Sequence, residues 1–341
     1  MGIGISLSGL ASAVANMGGI GVISSVGIGF IERNHHQNLK NSHIEAMRKE
    51  IRKARGKTTG VLGVNIMTVL TNFSDMVMTS IEEGIDIIFS GAGLPLDLPK
   101  YLTQGSSTKL VPIVSSARAA SIISNKWKQN FDYLPDAFVV EGPKAGGHLG
   151  FKPHELQDVR NSIGNLVTQV LEVTDEIRKK YKKTIPIIAA GGIYSGKDMF
   201  RIMRRGASAV QLGTRFIATE ECDASPEFKN TFTAAKIDDI KIIKSPVGLP
   251  GRTIFNKFLL DAHEGIKRPS SCKYNCIKTC DYKTTLYCIA SALLEAYRGN
   301  LADGFAFSGS NAGLVSKIST VKSVFQDLIS GYYREYRKIN S

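Results

Sequence analysis

One histidine stands where a proton could be moved. His148 ends the run Gly142-Pro-Lys-Ala-Gly-Gly-His148, which follows the apolar residues Ala137 to Val140. Of the groups in this loop, its imidazole is the one whose ordinary pKa lies near neutrality, so it can take or give a proton at cellular pH. Gly146 and Gly147 carry no Cβ and let the backbone pass close to a ligand. The same residues also suit a structural histidine beside a tight turn, so the choice rests on the surroundings. Two further turns invite an anion. Gly191-Gly192 and Gly213-Thr214 each end an apolar run before a helix start, where paired backbone N–H groups and a threonine hydroxyl suit a phosphate. Asn65 sits in the middle of the apolar run Val61 to Met67. A buried amide must find partners, so it is either a structural bridge or a ligand contact.

The elements that position these residues alternate. Apolar runs beginning at Gly19, Val61, Ile85, Leu110, Ala137, Ile185 and Ala209 read as strands. Helical segments separate them, which indicates parallel βαβ units. Helices are expected at Leu7 to Gly18 with Ser6 as N-cap, along a basic segment with the apolar stripe Ile44, Met47, Ile51 and Ala54, at Phe73 to Glu83, and from Ala117. A long helix is expected over Pro153 to Tyr181, and another at Lys197 to Arg205 capped by Ser195. Eight strands close a barrel, and the polar and glycine-rich positions all fall after strand ends, where a barrel builds its ligand site. The fold class is therefore α/β, a TIM (βα)8 barrel lacking its first strand, with a smaller, mostly helical lobe. Residues 1–219 are expected to form the barrel and 220–320 the lobe, with 321–341 a C-terminal helix packed on the barrel.

With 341 residues the chain can bury a large core, and 43% hydrophobic against 21% charged residues is ordinary for a soluble protein. The formal charge of +13 favours acidic partners. The basic residues are spread over helix faces without interleaved aromatics, so nucleic-acid binding is not expected. The apolar start, Met1 to Phe30, has no basic leader and is interrupted by glycines, which argues against a signal or membrane anchor and for a cytoplasmic protein. Five cysteines, an odd number, point to reduced thiols.

Taken together, Gly2 to Phe30, Gly63-Val-Asn-Ile-Met67, Ala145-Gly-Gly-His148, Ala190-Gly-Gly-Ile193, Gln211-Leu-Gly-Thr-Arg-Phe216 and Ser245-Pro-Val-Gly-Leu-Pro-Gly-Arg252 resemble the nitronate monooxygenase (2-nitropropane dioxygenase) family. That family includes the flavin-dependent class II enoyl-acyl-carrier-protein reductases, and the resemblance covers nearly the whole chain. It implies a TIM-barrel oxidoreductase binding FMN, with the flavin phosphate on residues Gly191, Gly192, Gly213 and Thr214. Gly146 and Gly147 would lie against the flavin, Asn65 would contact its ring, and His148 would face the substrate as the general base. Family members begin with a strand leading to a Pro-Met turn, whereas this sequence starts at what corresponds to that methionine.

The activity this implies is oxidation of alkyl nitronates or nitroalkanes by oxygen. The alternative is NAD(P)H-dependent reduction of an enoyl thioester on an acidic acyl carrier protein, for which the positive charge is favourable. From another class, a truncated, non-catalytic flavin-binding scaffold fits the same residues. A small-molecule substrate is expected in the first reading, and a homodimer is compatible with it.

Two features remain outside the resemblance. Cys272, Cys276 and Cys280 stand four apart, a single stripe if helical, and Cys288 follows eight residues later. This is not a usual ferredoxin or zinc spacing. Small buried residues are one reading and a metal or iron–sulfur site is the other; no metal ligands are assigned. Ser308-Gly-Ser-Asn-Ala-Gly313 either closes over the flavin or simply connects elements.

Overall fold

The computed structural model describes residues 2–31 and 39–340. Met1, at which the family's Pro-Met turn was matched, lies outside them. The apolar runs become β1 (Gly21–Ser24), β2 (Leu62–Met67), β3 (Ile87–Gly91), β4 (Lys109–Val114) and β5 (Phe138–Glu141), then the two-residue β6 (Gly147–His148), β7 (Ile187–Ala190) and β8 (Ala209–Gln211). All but β6 pair in parallel in one curled seven-stranded sheet, ordered β1-β2-β3-β4-β5-β7-β8. These are the seven strands expected from the sequence. Among the described residues β1 and β8 are the sheet's edges, and the barrel is open between them.

Strand side chains alternate between two faces. Ile23, Leu62, Val64, Ile88 and Ile187 point outward to a buried layer with Met47, Ile51, Met76, Ile123, Trp127 and Val167. These come from α2 (Leu39–Arg55), α3 (Phe73–Glu82), α4 (Ala117–Phe131) and α5 (Ile163–Tyr181), which follow α1 (Ser8–Asn16) in the chain. Phe89, Val111, Val139 and Ala190 point inward with Val22, Ile113 and Ile188. Sheets covered on both faces need such continuous apolar strands, which is why the runs were legible.

The first helix differs from expectation in its cap. Ser6 does not cap it; its hydroxyl donates to Val22 O at 2.7 Å. The Asp223 carboxylate, far along the chain, accepts from the N–H groups of Leu7, Gly9 and Leu10 at 2.7, 2.9 and 3.1 Å, and Glu50 accepts from Ser8 N–H at 2.9 Å. Two carboxylates at a helix N-terminus satisfy orphan donors and suit the dipole, so a serine hydroxyl is not needed there. Residues Pro153 to Ser162 also differ, forming two 3₁₀ turns instead of the start of a long helix. The Asp158 side chain accepts from Arg160 N–H, the local bond that favours a turn over helix. The Ser195 cap is as expected: α6 (Gly196–Met203) opens on a capping box with Asp198.

Beyond β8 come α7 (Thr214–Ile217), α8 (Pro226–Ala234), β9 (Ile240–Lys244), β10 (Pro250–Ile254), α9 (Lys257–His263), α10 (Ile289–Tyr297), β11 (Ala306–Phe307) and α11 (Val321–Asn340). Helices dominate this part, but it also carries a small antiparallel sheet in which β10 pairs β9, β11 and β6. The turn-rich Ser245 to Arg252 stretch is the hairpin of that sheet. Leu10 of α1, Phe216, Phe228, Val321, Val324 and Leu328 share one apolar cluster, with Val14, Met17 and Phe325 packed on it. Leu10, Val14, Met17, Phe325 and Leu328 also line the space inside the open barrel, so α1 and α11 border it there.

Candidate active site

The inner face of the half-barrel encloses a cavity of about 1050 Å³. Asn65, Gly146, Gly147, His148, Gly191, Gly192, Gly213 and Thr214 all line it, so every site residue expected from the sequence is brought to one place. The reason is topological: each lies at or just beyond the carboxyl end of a parallel strand.

The histidine is held by the small sheet. Gly147 and His148 form β6 against Arg252 and Gly251 of β10, and Leu149 N–H donates to Pro250 O at 2.8 Å. His148 Nε2 lies 2.6 Å from Ser245 Oγ, and its ring meets Phe307 edge-on at 4.9 Å. Burial pushes its pKa down to about 4, so the imidazole is neutral throughout the physiological range. Nδ1 has no protein partner among the described residues. When Nε2–H donates to Ser245, that nitrogen is a free base; in the other tautomer it is a free donor.

Glu141, which the sequence reading passed over, ends β5 and also lines the cavity. Removal from bulk water raises its carboxyl pKa to about 7. The cue was present: a single charged residue closes an apolar strand immediately before the glycines. Arg252 was noted only as part of a motif, yet it ties the loop together. Its Nη1 donates to Pro143 O at 2.7 Å and Ala145 O at 2.5 Å, and burial lowers its pKa. Lys144 is exposed at the rim, its stem lying over Gly192.

Ser308 to Asn311 line the cavity. Gly309 N–H donates to Thr214 Oγ1 at 3.2 Å, Ser310 N–H to Lys144 O at 3.2 Å, and Asn311 Nδ2 to Gly192 O at 3.0 Å. One loop thereby joins the glycine turns after β5, β7 and β8.

Four observations bear on whether FMN fits these residues. Gly191 and Gly192 have φ of +95° and +79°, a conformation that turns successive N–H groups inward and that side chains rarely adopt. A Cβ on Gly213 would meet nothing within 4 Å, so open space lies beside the phosphate-type turn. The buried Ser308 hydroxyl has no partner among the described residues. The Asn65 amide is 8% exposed, faces the cavity, and has no protein partner among the described residues. Glycine N–H groups at one end and an unengaged amide at the other suit a phosphate joined to a polar ring, and the residues fit the group.

An open α/β barrel with a phosphate-type cradle and a half-buried imidazole and carboxyl at its strand ends has the architecture of a cofactor-dependent barrel oxidoreductase. Residues 1–331 match the family described as nitronate monooxygenase, and the chain belongs to that family of flavin oxidoreductases. A probable nitronate monooxygenase of Staphylococcus saprophyticus is 28% identical over 225 residues, 66% of this chain and 59% of that protein. The (3aS,4S,5R,7aS)-5-hydroxy-7a-methyl-1-oxo-octahydro-1H-indene-4-carboxyl-CoA dehydrogenase of Rhodococcus jostii is 24% identical over 245 residues, 72% and 58% of the two chains. This chain thus spans a little under three fifths of the length of these curated relatives. Among solved structures, FabK of Thermotoga maritima is 27% identical with a TM-score of 0.73, covering 98% of this chain and 92% of that one. Nitroalkane oxidase of Streptomyces ansochromogenes, 19% identical, shares the fold at a TM-score of 0.75 over 100% and 96% of the two chains. No helix among the described residues is long and apolar enough to cross a membrane.

Proposed function

We propose that this protein is an FMN-dependent oxidoreductase that oxidises nitroalkanes or their nitronates with oxygen, with His148 as the general base. The observation that carries the reading is a neutral, half-buried imidazole in the same cavity as the glycine cradle and the Asn65 amide. Gly191, Gly192, Gly213 and Thr214 would hold the phosphate of FMN, and Asn65 its ring. FMN, when bound, supplies the two-electron acceptor. The chain's own residues supply the proton chemistry. With Nε2–H on Ser245, His148 Nδ1 accepts the proton from the carbon bearing the nitro group, and Arg252 keeps the loop in register by holding the Pro143 and Ala145 carbonyls. Phe307 covers one edge of the ring, and partial burial keeps the imidazole a free base.

A second reading is favoured by the extent of the likeness to FabK, a member of the class II enoyl-acyl-carrier-protein reductases whose resemblance was noted above. It is NAD(P)H-dependent reduction of an enoyl thioester. Anaerobic reduction of the FMN-loaded protein, followed by its visible absorbance, separates the two. Bleaching by nitroethane and by preformed ethylnitronate without nicotinamide is expected. Bleaching by NADH or NADPH alone, with turnover of crotonyl thioester, would replace the first reading by the second; FMN-loaded protein bleached by none of these would support the non-catalytic scaffold, and protein that cannot be loaded with FMN would overturn all three. In His148→Ala the nitroethane rate should fall by about 10²- to 10⁴-fold. The nitronate, already deprotonated, should keep most of its rate; equal losses on both would remove the base assignment.

A further inference from the structure

The lobe contains a second, small cavity of about 30 Å³, lined by Cys272, Cys276, Cys280 and Cys288 with Tyr274 and Ile289. These are four of the chain's five cysteines, and all are free thiols. The helical stripe expected from their spacing is not formed. Residues 272–288 run through turns, with Asn275 at φ +40°, and it is this turning that gathers the thiols around one space.

A protein reducing its exposure to reactive thiols would scatter them or bury them singly. Here two of the sulfurs sit beside backbone N–H groups. Asn275 N–H donates to Cys272 Sγ at 3.4 Å. Cys288 occupies the N-cap of α10, at the end of the helix where its N–H groups are free. Lys273, Lys278 and Lys283 stand in the same stretch, offsetting negative charge.

The space between the thiols bears on the ligand they would hold. A single tetrahedral zinc ion, with bonds of about 2.3 Å, would draw four sulfurs to within about 4 Å of one another and leave no void. Among the described residues no three His, Cys, Asp or Glu side chains are set to hold one ion. The thiols instead surround a cavity, larger than the roughly 10–15 Å³ that admits one water in the same measure. A cubane gives each thiolate its own iron and keeps the sulfurs apart.

We infer that Cys272, Cys276, Cys280 and Cys288 ligate a [4Fe–4S] cluster. Each thiol gives up its proton and each thiolate binds one iron, with four sulfides completing the core. The site is joined to the barrel. Thr71 N–H donates to Cys276 O at 3.2 Å, Lys278 N–H to Val69 O at 2.9 Å, and Leu70 bridges Ile277. Cys276 and Ile289 also line the large cavity, so the cluster lies one side chain away from it. The inference rests on the cysteines alone and stands or falls separately from the nitronate reading.

The test uses the full chain, reconstituted anaerobically with ferric iron, sulfide and dithiothreitol, which reduces part of the iron, then desalted. Iron and acid-labile sulfide are measured per chain, with low-temperature EPR after dithionite reduction. The expected result is about four iron and four sulfide per chain and an EPR signal of a reduced cluster. Cys276→Ser and Cys280→Ser should each lower iron at least fourfold, while Cys222→Ser, remote from the cavity, retains it. FMN loading checks that each variant is folded. Iron-free protein after reconstitution, stoichiometric zinc without sulfide, or full iron in Cys280→Ser with FMN bound would each overturn the assignment.

Discussion

The large cavity and the thiol cavity share Cys276 and Ile289 as a common wall, but they are built by different means. The large one is assembled at the ends of parallel strands, so each contributor is located by a ladder of backbone bonds. The thiol cavity is assembled from turns, and its ties to the barrel are a few bonds to Val69, Leu70 and Thr71. The first therefore tolerates little change in backbone, either in the strands or in the lobe segments that pair with Gly147 and His148 and bond the glycine turns. The second depends on side-chain identity and on a handful of local bonds.

The largest expected effect breaks the backbone-built site. A Cβ on Gly146 would lie 2.6 Å from the Ser308 carbonyl carbon and 2.7 Å from Gly309 N, both main-chain atoms that cannot swing aside. Gly146→Val should weaken FMN binding by at least about 100-fold and lower thermal stability, since overpacking of this kind costs roughly 1–3 kcal/mol or more. Unchanged FMN affinity would show that the Ser308 loop does not close the site.

Next in size is a pair of opposed pH dependences in the cofactor-free protein. His148 falls from 6.5 unfolded to about 4 folded, so the unfolded chain binds its proton first and stability drops as pH falls from 6.5 to 4. Glu141 rises from 4.5 to about 7, so the folded chain keeps its proton and stability drops as pH rises from 4.5 to 7. Each amounts to about 3 kcal/mol at full extent. Between pH 4.5 and 6.5 they offset one another, and the native protein should show little pH dependence from these two groups. Glu141→Gln should unmask the loss toward acid, and His148→Gln the loss toward neutrality, in denaturant melts. Parallel profiles in the two variants would show that the pair does not share the cavity's exclusion from water.

A smaller effect separates ligand from structure. Gly213 has an ordinary φ of −120° and open space where its Cβ would be. Gly213→Ala should leave the melting temperature of the cofactor-free protein within about 1 °C, yet weaken FMN about tenfold, because the methyl group enters the space assigned to the phosphate. An equal affinity would move the phosphate elsewhere.

The smallest effect sharpens the other side of the comparison. Thr71 Oγ1 donates to Asn275 O at 2.6 Å. Thr71→Val removes that tie, a change of about 1 kcal/mol. Amide exchange across residues 272–288 should quicken severalfold while the strands of the barrel keep their protection. Faster exchange throughout would mean that the two cavities form one cooperative unit.

The sequence by itself determined the parallel α/β plan, because strands covered on both faces must be apolar along their whole length and must end in glycine or polar turns. From that followed seven strands, the glycine turns at Gly191 and Gly213, and the place of Asn65 and His148. Tertiary structure decided what depends on partners distant in the chain. Asp223 caps the first helix instead of Ser6, Ser245 takes one nitrogen of His148, and Arg252 holds the Pro143 and Ala145 carbonyls. Glu141 became a group titrating near neutrality only once burial removed its water. The cysteine spacing pointed to a helical stripe, and only the turns at 272–288 turned it into a ring of thiols. Periodicity records which face of an element is dry, a local property; a cap, a tautomer or a closed ring of ligands is a relation between segments that meet only in the folded chain.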